Sequence, residues 1–261
     1  MRSMLLPAAA IALLCADAAC AGAATPGYAW RSAADPASSD TLEERIAPPP
    51  GFARVKVGPD SWAAWLRGLP LKPAGVPVLT FTGAPKWRQD VHVAVIDIDV
   101  GSRDLQQCAD AIMRLRGEWL FAAGRAIAFN DTDGKRRVFS ARNKTDHAAF
   151  RKYMDLVFAY AGTYSLEHEL KPVASRELQI GDVFIKGGFP GHAVLVADMV
   201  ENAETGEKRF LLVQSYMPAQ EIHVLKSPAA PDGSPWYPAA FTGDLVTPEW
   251  TFRANALHRW P

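Results

Sequence analysis

The chain of 261 residues has little cysteine, no surplus of charge of either sign and no apolar run of membrane-spanning length. Three Cys residues are too few for a disulfide scaffold. Lys and Arg together number 28, as do Asp and Glu, so the formal charge is zero. That balance excludes a strongly basic nucleic-acid binder and electrostatic docking on anionic lipid. The GxSxG, GxGxxG and GxxxxGK[ST] patterns are missing, which removes serine-esterase, dinucleotide and P-loop chemistry. HExxH, paired CxxC and His-x-His spacings are also missing, so neither zinc nor an organic cofactor is expected.

What is present reads as a globular chain. Apolar residues make up 49% and charged residues 21%, outside the range of disordered sequences. Twenty Pro and 19 Gly imply many turns around the core.

Residues 1–24 have the layout of a secretory signal peptide. Arg2 precedes the apolar run Met4 to Leu14, and small residues from Ala19 to Ala23 follow. A bilayer-spanning helix needs about 20 apolar residues, more than this run supplies. Export to the periplasm or the outside is the expectation, with membrane attachment only if Cys20 carries a lipid. Cleavage would remove Cys15 and Cys20 and leave Cys108 as a lone thiol. Residues 25–44, rich in Ala, Ser, Asp and Pro, read as a flexible tether. One globular domain is then expected over 45–261.

Within that domain, Asp60 or Ser61 is placed to cap a short helix carrying Trp62, Trp65, Leu66 and Leu69. Val91 to Val100 reads as an interior strand. Leu105, Cys108, Ile112, Leu115 and Trp119 step by threes and fours, which predicts a helix from Asp104 to Phe121. A second helix is expected over 146–161, with Phe150, Tyr153, Met154, Val157 and Phe158 inward. Beyond Pro172, short strand-like runs lie at 183–185, 193–197, 210–214 and 222–225. Helices first and a mostly antiparallel sheet afterwards define an α+β class.

Cys108 falls in the first full turn of its expected helix, where unpaired N–H groups and the helix dipole favour a thiolate. His192 follows a glycine-rich turn, Gly187 to Gly191, at the start of a strand, and the glycines would leave room for a ligand. If runs 192–198 and 209–215 form a hairpin centred near 203 and 204, paired positions sum to 406–408. His192 then faces Gln214, Ser215 or Tyr216, with Cβ atoms about 5 Å apart. Cys108, His192 and Gln214 thus form a permitted nucleophile, base and orienting set. Gln107 is placed to support an oxyanion together with the Cys108 N–H. Two other readings compete. Asp97 and Asp99, alternating along one strand, would with Glu118 or His92 bind a cation and activate water. A non-catalytic domain would instead use the same cleft to bind a peptide or glycan. His223 is a weaker base candidate than His192, and Glu167-His168-Glu169 reads as a solvated helix face. The Trp and Tyr residues near 236–250 read mainly as packing.

The order of a helix-borne Cys, Gly191-His192-Ala193-Val194 at a strand start and an amide ending the next strand resembles the papain-like cysteine hydrolases. The turn Gly181-Asp182-Val183-Phe184 upstream is similar to that of NlpC-type cell-wall peptidases. The resemblance implies a papain-like arrangement in which the Cys-bearing helix packs on the sheet. It implies Cys108 as nucleophile, His192 as base and Gln214 as orienting residue. It also implies amide hydrolysis or acyl transfer on a peptide or cell-wall-derived substrate. Across residues 46–256, the segments QQCADA, YAGTYSL, GDVFIKGGFPGHAVLV, QSYMPAQEIH, SPWY and TPEWTF resemble an uncharacterised family of exported bacterial proteins.

Overall fold

A computed structural model describes residues 27–31, 40–143 and 145–261. The signal-peptide expectation for residues 1–24, and with it Cys20, lies outside the described residues. The helices are α1 (Leu42–Arg45), α2 (Trp62–Arg67), α3 (Cys108–Ala122), α4 (His147–Tyr160) and α5 (Thr163–Glu169). The strands are β1 (Phe52–Arg54), β2 (His92–Val95), β3 (Ala128–Asn130), β4 (Arg136–Val138), β5 (Lys171–Pro172), β6 (Val183–Lys186) and β7 (His192–Asn202). They continue with β8 (Lys208–Gln214), β9 (His223–Leu225), β10 (Tyr237–Pro238), β11 (Leu245–Val246), β12 (Thr251–Phe252) and β13 (Leu257–Arg259).

Nine strands form one antiparallel sheet in the order β2-β9-β8-β7-β6-β13-β5, with β1 added to β7 and β10 added to β8. β3 and β4 make one small hairpin, and β11 and β12 another. The class is α+β. β7 is the axis of the sheet, and its residues are buried from His192 to Val200. Alternation explains the unbroken apolar run, because successive side chains point to opposite faces. Ala193, Leu195 and Ala197 join the core that includes Trp65 of α2, Ile112 and Leu115 of α3, and Phe150 of α4. Val194 and Val196 join a second core with Phe184, Phe210, Leu212, Tyr237 and Phe252. Covering both faces removes the need for polar positions that a half-exposed antiparallel strand would show.

Near His192 the β7–β8 hairpin pairs at the upper end of the expected range, with positions summing to 408, and beyond the bulge they sum to 409. Leu195 faces Val213 and Val196 faces Leu212, and beyond a bulge at Ala197 Asp198 faces Leu211. The bulge shifts the pairing by one residue toward the turn.

Three expectations are corrected. The strand expected over 91–100 ends at Val95. Asp97 and Asp99 therefore lie in irregular chain and do not share a strand face. α3 starts at Cys108, not near Asp104, with Gln107 as the N-cap residue. The Asp104 carboxylate is engaged elsewhere, accepting from the Ala219 N–H at 2.7 Å and the Gln107 amide at 2.9 Å. Asp110 supplies the cap, accepting from the Gln107 N–H at 3.1 Å. Finally, the described part of the expected tether is packed. Tyr28 and Trp30 lie 5.1 and 5.8 Å from the Trp65 ring, and the Tyr28 hydroxyl donates to the Trp65 carbonyl. α1 begins at Leu42 behind a Thr41–Glu44 capping box. Two aromatic side chains outweigh the small-residue composition around them.

Candidate active site

Cys108 is the first residue of α3 and only 6% exposed. The backbone N–H groups of Ala109, Ala193 and Cys108 itself lie near enough to its sulfur to favour the thiolate. The Ala193 contact matters most for placement, because that residue follows His192 in β7. Burial nonetheless dominates and, with the nearby Asp110 carboxyl, pushes the thiol up to about 12. The expectation of a lowered thiol pKa is therefore corrected. Two N–H groups at a helix start and one from β7 do not offset removal from water. Asp110 follows the same rule, its own carboxyl being pushed well above the usual range by complete burial.

His192 opens β7 and is 1% exposed. Its ring lies among Tyr216, Trp250 and Phe252, at 4.8, 5.4 and 5.8 Å between centroids. Burial depresses its pKa to about 4, and Lys86 adds to the effect. Tyr216 is common ground between thiol and imidazole. Its hydroxyl pKa is raised first by burial, then by Glu249 and by Cys108.

The register sets Gln214 across from Val194 and brings His192 level with Tyr216, so Gln214 reaches the imidazole diagonally. His192 Nε2 lies 2.9 Å from Gln214 Oε1. The other end of the amide meets two acceptors. Gln214 Nε2 donates to Glu249 Oε2 at 2.7 Å and lies 3.3 Å from His223 Nε2. His223 Nδ1 is 2.9 Å from the Glu221 carbonyl, which can only accept, so Nδ1 carries the proton and Nε2 a lone pair. Burial lowers the His223 pKa to about 3, so the ring is neutral at physiological pH. Glu249 is itself held by the Lys86 ammonium at 2.6 Å, in a pair whose side chains are 2% and 5% exposed.

The loop that delivers His192 is built on its glycines. A Cβ on Gly191 would lie 2.2 Å from Thr163 Oγ1, 2.4 Å from the Gly188 carbonyl and 2.7 Å from the Lys186 carbonyl. A Cβ on Gly187 would lie 2.5 Å from Glu167 Oε2, while Glu167 Oε1 accepts the Gly187 N–H. The space the glycines leave is thus taken by α5, not by a ligand. Glu167 is correspondingly an anchor for this loop and not merely part of a solvated face.

Gln107 does not point free into the site, since its amide donates to Asp104. Beneath the start of α3, Gln106 and Arg114 are fully buried. Arg114 bonds Gln106, Glu118 and Asp99. Glu118 also meets His147 Nε2 at 2.9 Å, and Asp99 meets Arg151. Asp97 pairs with Arg31. These carboxylates are taken by cations from the chain itself. Among the described residues, no group of three or more His, Cys, Asp or Glu side chains converges to hold a metal ion.

A cleft of about 540 Å³ is lined by Trp87, Arg88, Tyr216, Glu249 and Trp250, with His192 and Cys108 set behind its wall. It shares Tyr216 and Trp250 with the surroundings of His192. Trp250 is therefore part of the cleft, whereas Trp236 and Tyr237 are core packing. A larger cavity of about 930 Å³ near Pro49 and Trp236 contains none of these site residues.

Sequence reasoning missed Lys86, Glu249 and the role of His223. The signal for Glu249 was a single acidic residue inside the aromatic run TPEWTF. His223 was legible by extending the hairpin arithmetic, because it pairs with Gln214 in the β8–β9 register. Lys86 left no sequence signal.

Fold and site together define an α+β domain with a buried cysteine, a buried neutral histidine and an amide set between that histidine and a carboxylate. The chain belongs to the family described as Domain of unknown function (4846), whose model matches residues 42–144 and 135–259. No curated protein and no solved structure matches it.

Proposed function

We propose that the protein is a cysteine hydrolase or acyl transferase acting on amide bonds, with a papain-like arrangement of its site. The supporting observation is the 2.9 Å contact between His192 Nε2 and Gln214 Oε1. The helix-start sulfur of Cys108 lies near the N–H of Ala193, the residue after His192, which favours its thiolate. The amide oxygen accepts the Nε2 proton and leaves the Nδ1 lone pair as the base.

In this reading Cys108 Sγ attacks the amide carbonyl while its proton passes to His192 Nδ1. The resting pair is a neutral thiol and a neutral imidazole, so proton transfer accompanies attack. The oxyanion forms against the positive end of the α3 dipole. Collapse breaks the C–N bond, and the imidazolium gives its proton to the leaving amine. Water, or an amine in the transferase case, then attacks the thioester and returns the proton through His192 to the thiol. The substrate class we favour is a cell-wall peptide, in keeping with the expected export and the NlpC-type resemblance. The cleft with Trp87, Tyr216 and Trp250 offers aromatic surface for it.

The test is hydrolysis of a panel of peptides, cell-wall stem peptides included, by the wild type, Cys108→Ala and His192→Gln. Both variants are expected to lose turnover at least 1,000-fold, as removal of a nucleophile or base does. Thermal midpoints should stay close to the wild type. Turnover surviving in Cys108→Ala would remove the hydrolase reading. Binding without turnover in the wild type would leave a peptide-binding domain.

A further inference from the structure

We infer that Glu249, together with His223, is a positioning residue that sets which nitrogen of His192 carries the proton, acting through Gln214. The inference rests on the hydrolase reading for its purpose, but its structural content stands on hydrogen bonding alone.

An amide has one accepting end and one donating end. If Gln214 were turned over, its oxygen would face the Glu249 carboxylate and the lone pair of His223. Both would repel it. Its NH₂ would face His192 and force the Nε2 of that ring to accept. As built, Glu249 Oε2 at 2.7 Å and His223 Nε2 at 3.3 Å both take amide protons. The oxygen is left to His192 at 2.9 Å. The direction is fixed one step further back by the Glu221 carbonyl, which obliges His223 to carry its proton on Nδ1. Information therefore runs from a backbone carbonyl through His223, and from Lys86 through Glu249, to Gln214 and then to His192.

The Lys86–Glu249 pair is hard to account for as packing. Burying both ions costs desolvation that an apolar pair would not, and such pairs often add nothing to net stability. What an apolar pair would lack is an acceptor for Gln214. Glu249 sits at the end of the cleft beside Tyr216 and Trp250, where the imidazole is otherwise surrounded by rings.

The experiment is two-bond ¹⁵N–¹H NMR of histidine-labelled protein at pH 7, which distinguishes the two neutral tautomers of His192. The wild type should carry its proton on Nε2. In Glu249→Leu the Nδ1–H tautomer should rise at least about tenfold, the equivalent of one lost hydrogen bond to a carboxylate. Glu249→Gln, whose amide oxygen still accepts, should keep the wild-type distribution. Gln214→Leu should move the spectrum the same way as Glu249→Leu. A wild-type His192 protonated on Nδ1 overturns the inference outright, whether or not any variant folds. So does a Glu249→Leu spectrum identical to that of the wild type. A purely structural Glu249 would lower the melting temperature without changing the tautomer. The readout needs no substrate. A protein with the stated tautomer behaviour but no turnover would fail the hydrolase reading while upholding this one.

Discussion

Alkylation of Cys108 tests the site most directly, because burial and a preformed ion pair predict opposite results. A free cysteine with a pKa near 8.5 is about 3% thiolate at pH 7. With the Cys108 thiol pushed up to about 12, roughly one molecule in 100,000 is ionised at that pH. The thiolate population is thus about 3,000-fold smaller, while its greater basicity returns a factor of about 40 at a Brønsted slope near 0.45. The net expectation is alkylation about 80-fold slower than for a free cysteine, before the 6% exposure slows it further. Iodoacetamide labelling over pH 6–11, followed by peptide mapping to separate Cys108 from Cys15 and Cys20, measures this. The rate should rise about tenfold per pH unit with no plateau below pH 11. Denatured protein should react at the free-cysteine rate. A fast, pH-independent rate between pH 6 and 9 would refute the reasoning, because it would mean a standing thiolate–imidazolium pair.

Stability should fall with acid. The pKa values of His192 and His223 are depressed to about 4 and 3, against about 6.5 in the unfolded chain, so the unfolded state binds more protons below that value. Stability is full above pH 6.5 and lost as pH drops toward the folded values, by about 2 kcal/mol per histidine at pH 5. Because the raised carboxyl of Asp110 acts in the opposite sense, the readout is the difference between variants: the change in urea stability between pH 7.5 and 5.0 should be about 2 kcal/mol less unfavourable in His192→Gln than in the wild type, and an identical change in both would contradict a buried neutral His192. Gly191→Ala should cost about 3 kcal/mol or prevent folding, since its Cβ meets two backbone carbonyls as well as Thr163. Adding Thr163→Ala should restore only part of that loss, and full recovery would show that the carbonyls give way. Arg114→Met should cost about 3–5 kcal/mol by leaving Glu118 buried without its guanidinium, whereas Arg114→Met with Glu118→Met should cost much less. Comparable losses in both would mean that the pair is net stabilising.

The parts of the fold that were legible are those where periodicity and burial agree. α4 matched its apolar spacing and its Asp146 cap, and the 7–8 hairpin register followed from the turn position alone. α3 began later than its periodicity suggested because Asp104 found partners 115 residues away in sequence, at Ala219, which no local rule reveals. The run 91–100 lost its second half as strand because Ile96 and Asp97 bond to Ile222 and Pro70 outside any ladder of useful length. In the site, hairpin arithmetic narrowed the partner of His192 to Gln214, Ser215 or Tyr216; the register sets Tyr216 level with it, and the long Gln214 side chain makes the diagonal contact. The thiol's acidity was not, because a sequence shows that Cys108 starts a helix but not how little water reaches it. Lys86 and Glu249, 163 residues apart, meet only through tertiary folding.

The dryness around Cys108 has a consequence for how long the molecule would last. Peroxide and other oxidants attack the anionic form of sulfur, so a sulfur held almost wholly as S–H ages slowly. A mature chain with one unpaired cysteine would gain resistance to mixed-disulfide formation from the same shielding. Chemical durability at rest and reactivity on demand would then have one origin, with the arriving substrate, not the surrounding solvent, supplying the occasion for the proton to move.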